Sequence, residues 1–368
     1  MQNTNPEPPD AKIPGDLLKP EIFEPDKNSG TFSAGMNYSR ALKELESGST
    51  LTVRGSYATA ISLYSWLKNR ISSKHPVYDH ISSRKARRVL NETASKILAG
   101  IKGHRIDLQR APEIPWLKEF YPDNQDFLIP LPELLGMNGA WQWYKNGVTY
   151  PVHGQRLHPF YGVYFPARTE HLVMFDNWLS DNTGKFSSGL DIGTGCGILA
   201  IIMAKHGIEN IHATDINPNA VYSSSLEFAR LKTVKQISVE KASLFGSPRE
   251  VRGLVVINPP WIPGECLNMM DRGIYYEKGF FENFFSEAGK RMAPGSTLAI
   301  IFSNFAIEAG IAEFNPVEKI TGLTNSFILK EKITGKVTER TGNLSRSWVN
   351  PIREKEETEL WILQKRES

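Results

Sequence analysis

The second half of the chain alternates between short apolar runs and longer segments with apolar residues at helical spacing. The apolar runs predict strands within 187–195, 210–216, 236–245, 253–260, 296–303 and 359–365. The longer segments predict helices at 171–179, 197–207, 217–231 and 276–295. This alternation is typical of an α/β fold with a largely parallel sheet and helices on both faces, which binds ligands at the carboxyl ends of its strands.

The first 153 residues follow a different pattern. Residues 1–34 are rich in proline and acidic side chains and have few apolar groups, which favours a flexible tail. Helical spacing follows at 56–71, with Ser56 as N-cap, and at 79–103. Aromatic runs around Asn146-Gly147 predict a β-hairpin over 141–152. We therefore predict an N-terminal substrate-recognition region of helices and a hairpin at 35–153, followed by a second domain at 154–368.

Composition narrows the class of protein. Hydrophobic residues make up 40% of the chain and charged residues 23%, and a net charge of +3 does not by itself argue for nucleic-acid binding. Cys196 and Cys266 form neither a disulfide framework nor a zinc motif, which favours a reducing compartment. The sequence shows no secretory signal, and no run approaches the roughly 20 apolar residues that span a bilayer. We expect a soluble, cytoplasmic protein.

A glycine-rich turn, "LDIGTGCGILA", follows the first predicted strand of the second domain. Gly193, Gly195 and Gly197 let the backbone turn sharply and approach a ligand closely. The third glycine comes one residue too early for a dinucleotide fingerprint, and the carboxylate of Asp191 ahead of the turn suits a ligand with a positive charge. Asp215, 22 residues after Gly193, is placed to accept hydrogen bonds from ribose hydroxyls. The alternatives are a turn that only packs a helix and a nicotinamide or flavin site.

The strand in 253–260 ends in Asn258-Pro259-Pro260-Trp261. The two prolines make this end of the strand rigid and hold Asn258 in an extended conformation. The Asn258 side-chain oxygen and the Pro259 carbonyl can then both accept hydrogen bonds from one planar NH2 group, which positions its nitrogen and stabilises positive charge developing on it. Trp261 would stack on the planar group. The alternative is a proline-stiffened strand end with a tryptophan in the core.

These features resemble class I S-adenosylmethionine-dependent methyltransferases, in which D-x-G-x-G-x-G and a later aspartate form the cofactor site and N-P-P-aromatic accompanies methylation of planar nitrogen. The resemblance implies S-adenosylmethionine as cofactor and a Rossmann-like sheet, mostly parallel with the last strand antiparallel. The implied cofactor-binding residues are Asp191, Gly193, Thr194, Gly195, Gly197, Asp215, Ile216, Ser243, Leu244 and Asn258. The implied catalytic residues are Asn258, Pro259, Pro260 and Trp261.

A narrower resemblance begins in "GQRLHPFYGVYFPARTEHLV", residues 154–173, which is similar to a segment of the peptide-chain release factor glutamine methyltransferases. The resemblance extends over about residues 154–305 and implies a glutamine side-chain amide as acceptor, with Arg168 and Glu170 near the substrate. The chain departs from that family at two positions. Ser243 stands where an acid is usual, and Trp261 stands where the glutamine enzymes usually have tyrosine.

Further features concern the acceptor and other ligands. Tyr275 and Tyr276, close to the proline pair, are candidates for lining the acceptor pocket. Basic residues at 84–105 form either a solvated helix face or a nucleic-acid contact. The basic run at 332–355 either crosses the mouth of the site or only connects the last strands. His153 and His158 lack the further ligands of a metal centre, so we assign no metal.

We therefore predict an S-adenosylmethionine-dependent N-methyltransferase that acts on a glutamine amide of a protein. The alternative acceptor is an exocyclic amine of adenine or guanine in RNA or DNA. A non-catalytic cofactor-binding subunit is the rival class. A protein acceptor is favoured over nucleic acid, no membrane partner is expected, and the sequence leaves the oligomeric state open.

Overall fold

The computed structural model describes residues 13–24, 29–266, 269–337 and 348–367. The chain divides into two compact units, residues 1–145 and 146–368. This division lies eight residues before the predicted domain boundary. Among the described residues, no helix combines the length and the apolar character needed to cross a membrane.

The first unit is built on a five-stranded sheet with helices. Its strands are β1 (Gly30–Phe32), β2 (Leu51–Val53), β3 (Ile97–Lys102), β4 (Arg105–Ile106) and β5 (Phe127–Pro130). Its helices are α1 (Tyr38–Glu46), α2 (Tyr57–Lys74), α3 (His80–Ala94), α4 (Trp116–Phe120) and α5 (Leu131–Asn146). Strands β1, β2 and β3 are parallel, whereas β4 and β5 both pair with β3 in the antiparallel direction.

Only part of the helix prediction for this unit is confirmed. Helix α2 begins after Ser56, whose hydroxyl accepts a hydrogen bond from the Thr59 amide at 3.2 Å, as predicted. The predicted helix at 79–103 is wrong in its second part, because α3 ends at Ala94 and β3 follows. Residues 97–101 are all buried, and a continuous buried apolar run of this kind is typical of a strand inside a sheet.

The predicted hairpin at 141–152 is wrong. Residues 141–146 form the end of α5, where the Trp141 ring packs edge-on against buried Trp116 at a centroid distance of 5.0 Å. Gly147 has a φ of 69°, the left-handed conformation that commonly follows the last residue of a helix. Asn-Gly therefore ends a helix here, and the aromatic residues before it are part of a core.

The predicted flexible tail at 1–34 is also wrong in part. The Leu17 side chain is buried, and the Tyr121 hydroxyl donates a hydrogen bond to the Pro20 carbonyl at 2.6 Å. Strand β1 pairs with β2. Burial of Leu17, this hydrogen bond and the strand pairing hold parts of the segment against the rest of the first unit. Residues 1–12 and 25–28 lie outside the described residues.

The second unit contains a larger set of alternating elements. Its strands are β6 (Val148–Thr149), β7 (Arg156–Leu157), β8 (Ser188–Ile192), β9 (Asn210–Asp215), β10 (Ile237–Lys241), β11 (Leu254–Ile257), β12 (Ile262–Pro263), β13 (Tyr275–Tyr276), β14 (Thr297–Ser303), β15 (Phe327–Lys336) and β16 (Glu357–Lys365). Its helices are α6 (Glu170–Asp181), α7 (Ile198–Lys205), α8 (Pro218–Arg230), α9 (Phe280–Arg291), α10 (Phe305–Glu308), α11 (Pro316–Leu323) and α12 (Asn350–Arg353), with a 3₁₀ turn at Asp271–Gly273.

Seven of these strands form one sheet in the order β10-β9-β8-β11-β14-β16-β15. The first five are parallel, and β16 is antiparallel to both of its neighbours. The predicted α/β fold, mostly parallel with an antiparallel last strand, is confirmed. Strand β15 was not predicted, because most of its residues are exposed and it has no regular apolar alternation. Within the basic run at 332–355, residues 332–336 belong to β15, and residues 338–347 lie outside the described residues.

The register of the sheet determines which turns meet. Ile257 of β11 pairs with Ile192 of β8, and Ile192 also pairs with Thr214 of β9. The prediction that the strand before Asn258 lies next to the strand before the glycine turn is therefore confirmed. The turns that follow β8, β9 and β11 consequently lie side by side at one edge of the sheet.

Candidate active site

A cavity of about 390 Å³ lies at this edge of the sheet in the second unit. Its volume falls in the range of about 300–1,000 Å³ found for small-molecule sites. The sequence-predicted site residues that line it are Gly193, Gly195, Asp215, Ile216, Ser243, Leu244, Asn258, Pro259, Pro260, Tyr275 and Tyr276. The predicted site residues that are not among its described lining residues are Asp191, Thr194, Gly197, Trp261, Arg168 and Glu170.

The Asp215 carboxylate is fixed where β9 ends. One oxygen accepts a hydrogen bond from the Gly195 amide at 2.9 Å, and the other accepts one from the Asn217 amide at 2.8 Å. Burial raises the pKa of Asp215, and these backbone hydrogen bonds, with one from Ile216, oppose that shift. Because each carboxylate oxygen has more than one acceptor site, the group can still accept hydrogen bonds from hydroxyls in the cavity.

Ile216 and the Ser243-Leu244 turn form the cavity wall beside Asp215. The Ile216 side chain is 47% exposed, which is unusual for isoleucine and gives the cavity an apolar surface. Leu244 has a φ of 49°, a conformation that non-glycine residues rarely adopt. Its carbonyl accepts a hydrogen bond from the Thr214 hydroxyl at 2.6 Å. This bond holds the Ser243-Leu244 turn against the end of β9.

Asp191 has a different place from the one predicted. It is fully buried, and one of its oxygens accepts hydrogen bonds from the Thr194 hydroxyl at 2.7 Å and from the Ala200 amide at 3.1 Å. Burial raises the pKa of Asp191 to about 7, although both hydrogen bonds act in the opposite direction. The side chains of Asp191 and Thr194 therefore brace the glycine turn against α7, instead of presenting a carboxylate to a charged ligand.

Gly197 is required for packing. Its φ is 84°, and a Cβ atom built on it would lie 2.8 Å from the Phe228 ring. By contrast, a Cβ atom on Gly193 would meet no atom within 4 Å. The two glycines of the same turn thus serve different purposes, since Gly193 faces the open cavity and Gly197 lets α7 approach α8.

Asn258, Pro259 and Pro260 border the cavity directly after β11. The Asn258 Oδ1 atom accepts a hydrogen bond from the Trp261 indole nitrogen at 3.0 Å. An amide oxygen has two lone pairs, so one acceptor position on Oδ1 remains for a further donor. The indole therefore fixes the orientation of the Asn258 amide.

Trp261 is not among the described residues that line the cavity. Its ring packs edge-on against the His171 ring of α6, at a centroid distance of 5.6 Å and an interplanar angle of 85°. Burial lowers the pKa of His171 to about 4, so this imidazole is neutral near pH 7. The predicted stacking of Trp261 on an acceptor does not match this placement, because the indole nitrogen donates to Asn258 and the ring packs against His171.

Tyr275 and Tyr276 both reach the cavity through a short parallel pairing. Strand β13 pairs with β12, with Ile262 opposite Tyr275 and Pro263 opposite Tyr276. Burial, with a further contribution from the Glu282 carboxylate, raises the pKa of Tyr276 to about 12. Both tyrosines therefore line the same cavity as Asn258.

Arg168 and Glu170 do not reach the cavity, although the resemblance placed them near the substrate. Glu170 begins α6, and its carboxylate accepts a hydrogen bond from the Thr169 amide at 3.0 Å, which satisfies a backbone donor at the helix start. Sequence reasoning missed Tyr164 and Arg272, which do line the cavity. Tyr164 lies in the quoted segment at 154–173, two residues after Gly162, whereas nothing in the local sequence distinguishes Arg272.

Residues 172–258 match the protein family described as ribosomal protein L11 methyltransferase. The ribosomal protein L11 methyltransferase of Lactobacillus gasseri is 33% identical over 139 residues, 33% of this chain and 44% of that protein. The release factor glutamine methyltransferase of Streptococcus pneumoniae is 31% identical over 134 residues, 35% of this chain and 47% of that protein. A structure of ribosomal protein L11 methylase from Lactobacillus delbrueckii subsp. bulgaricus aligns over 58% of this chain and 87% of its own, with 16% identity and a TM-score of 0.38.

The chain spans less than half the length of each of these two curated relatives. The family match begins in α6 and ends at Asn258, so it includes the glycine turn and Asp215. The resemblance to methyltransferases that these residues predicted is thereby confirmed.

Proposed function

We propose that this chain transfers the methyl group of S-adenosylmethionine to the side-chain amide nitrogen of a glutamine in a protein. The observation that carries the proposal is that the Asp215 carboxylate, the glycine turn and the Asn258-Pro259-Pro260 segment line one cavity. A cofactor site and a site for a planar NH2 group therefore lie side by side. We call the cofactor side of the cavity the donor end; it is formed by Gly193, Gly195, Asp215, Ile216, Ser243 and Leu244. We call the other side the acceptor end; it is formed by Asn258, Pro259, Tyr275 and Tyr276.

The donor end suits a nucleoside. The fixed Asp215 carboxylate can accept hydrogen bonds from two ribose hydroxyls, and Ile216 offers an apolar surface to a base. The open space over Gly193 lets a ligand approach the backbone closely. When bound, S-adenosylmethionine supplies a methyl group on a positively charged sulfur, which is already activated for transfer.

The acceptor end suits a planar amide. The free acceptor position on Asn258 Oδ1 and the Pro259 carbonyl can each accept one hydrogen of the same NH2 group. These bonds strengthen as positive charge develops on the nitrogen, and they hold it in place for in-line attack. The methylated nitrogen is far more acidic than the amide, so it can lose a proton to water without a dedicated strong base. Similarity to a release factor glutamine methyltransferase supports glutamine as the acceptor.

The test combines binding with labelling. We expect S-adenosylhomocysteine to bind the purified chain in isothermal titration calorimetry. We also expect methyl-labelled S-adenosylmethionine to label a fraction of the source organism's lysate. Protease should release that label as methylglutamine, and nuclease should leave it in place. Release by nuclease alone would instead indicate an exocyclic amine of adenine or guanine. Binding of S-adenosylhomocysteine without any label transfer would indicate a non-catalytic subunit.

A further inference from the structure

A second cavity lies beside the acceptor end and shares part of its lining with the first. Its volume is about 700 Å³, and it shares Tyr276, Glu277, Lys278 and Phe280 with the lining of the first cavity. Its other walls come from residues 263–265, the start of α9 and residues 311–320. We call this second cavity the acceptor groove, because it shares Tyr276 with the acceptor end.

The acceptor groove carries a negative charge in a chain whose net charge is positive. Its described lining residues include four glutamates and two lysines, namely Glu265, Glu277, Glu282, Glu313, Lys278 and Lys319. Four negative and two positive side chains give a formal charge of −2, compared with +3 for the whole chain. The Lys319 ammonium group lies 3.8 Å from the centre of the Phe314 ring, over its face. One of the two cations is thus already engaged with an aromatic ring.

Most of the groove's carboxylates form no ion pair with the residues that the structure describes. Among the described residues, Glu277, Glu282 and Glu313 have no lysine or arginine within ion-pair distance, and all three are exposed. Their potential therefore acts on whatever enters the groove. A cleft lined by one sign of charge attracts ligands of the opposite sign and repels those of the same sign.

Apolar side chains lie between the carboxylates. Phe314 is 48% exposed, and Phe280 and Ile320 also line the groove beside it. Exposed aromatic and aliphatic groups of this kind are typical of surfaces that bind polypeptide side chains. Nucleic acid would instead bring phosphates, which the carboxylates repel, and it is usually bound by basic surfaces.

We propose that the acceptor groove binds the polypeptide segment that carries the methylated glutamine, and that lysine or arginine residues flank this glutamine. The inference rests on the proposed function and narrows its substrate to a basic segment of a protein. Tyr276 and Glu277 lie where the groove meets the cavity, so a chain bound in the groove can place one side chain beside Asn258 while its neighbours remain near the glutamates. Complementary charge of this kind favours specificity and fast association.

Fluorescence anisotropy with saturating S-adenosylhomocysteine tests this inference. The probes are short labelled peptides with a central glutamine flanked by lysine and arginine, by glutamate or by serine, and a labelled single-stranded RNA. We expect the basic peptide to bind about tenfold tighter than the serine peptide, with an affinity that falls as salt is added. We expect the acidic peptide and the RNA to bind most weakly.

Two double variants distinguish the effect of the groove's own glutamates from the effect of the chain's overall charge. The variant Glu277→Gln with Glu313→Gln should lose most of the preference for the basic peptide. The variant Glu209→Gln with Glu250→Gln, which removes the same charge from exposed positions outside the groove, should keep that preference. Equal affinity for all three peptides, or RNA binding tighter than any peptide, would overturn the inference. Failure of S-adenosylhomocysteine to bind would instead count against the proposed function itself.

Discussion

The donor end and the acceptor end of the cavity share one sheet edge, but they are assembled from different kinds of contact. At the donor end, backbone amides and short turns directly after β8, β9 and β10 hold the Asp215 carboxylate and the apolar wall. At the acceptor end, Asn258 is oriented by the Trp261 side chain, which in turn packs on His171 from α6. The cofactor side therefore depends mainly on sheet register, whereas the acceptor side depends on side chains from segments far apart in sequence.

The largest expected effect is at the acceptor end. Replacing Asn258 with alanine removes one of two groups that hold the NH2 hydrogens, and we expect methyl transfer to fall about 100- to 1,000-fold. Cofactor affinity should change far less than transfer, because the Asp215 and glycine-turn contacts of the donor end remain intact. Label transfer and calorimetry with S-adenosylhomocysteine measure the two effects separately.

Asn210→Ala is the control for Asn258→Ala. Asn210 is exposed and begins β9, at the opposite end of that strand from Asp215. This variant should leave both transfer and cofactor binding unchanged. Transfer by Asn258→Ala at the rate of the unmodified protein would show that the acceptor end does not work through this amide.

The next largest effect is on stability and concerns Asp191, whose buried carboxyl supports the glycine turn. The pKa of Asp191 is about 7 in the folded protein, above its ordinary value of 3.8, so folding favours the protonated form. Its contribution to stability is fully present below pH 3.8 and is lost as the pH rises through 7. Between pH 5 and pH 8 this carboxyl should lower the free energy of unfolding by about 2–3 kcal/mol.

Asp191→Asn removes this titration, so its free energy of unfolding should depend less on pH than that of the unmodified protein. Urea unfolding at pH 5 and pH 8, followed by circular dichroism, measures the difference. The same pH dependence in both proteins would mean that the Asp191 carboxyl does not titrate in this range.

A third prediction compares Asp215 of the donor end with Asp191, which is buried behind the glycine turn. Asp215 lines the cavity and Asp191 does not. Asp215→Asn should weaken S-adenosylhomocysteine binding about tenfold, because hydrogen bonds to a charged acceptor are worth about 1.5 kcal/mol or more. Asp191→Asn is the matched control and should keep its affinity at pH 5, where the carboxyl of the unmodified protein is largely protonated. The opposite ranking of the two variants in calorimetry would reverse the assignment of the two carboxylates.

The smallest predicted effect tests the support of Asn258. Trp261→Phe keeps an aromatic ring against His171 and removes the donor that holds Asn258 Oδ1. Loss of one hydrogen bond worth about 1 kcal/mol should lower the maximal rate about fivefold, without changing cofactor affinity. Trp143→Phe, at a position that is 54% exposed, is the control and should have no effect. A Trp261→Phe variant with an unchanged maximal rate would show that the indole does not orient the amide.

Local sequence patterns predicted the parts of the molecule that follow directly from a strand and its turn. The α/β alternation, the pairing of β8 with β11, and the positions of Asp215 and Asn258 at one sheet edge were all predicted. Each depends on residues within a few positions of a strand end, so the chain has little freedom to place them elsewhere. In the first unit, by contrast, the sequence predicted the end of a helix where the structure has strand β3, because the buried run at 97–101 fits a helix and a strand equally well.

The amino-acid sequence by itself determined the fold class of the second unit and the turns that form its cavity. Only the tertiary structure decided which side chains face that cavity. Asp191 turns inward to Thr194 and α7, Trp261 turns back to Asn258 and His171, and glutamates from separate segments gather in the acceptor groove. The physical reason is the distance along the sequence over which each kind of interaction acts. Strand and turn preferences act between neighbours in sequence, whereas the direction of a side chain depends on the hydrogen-bond partners and packing space that distant segments supply.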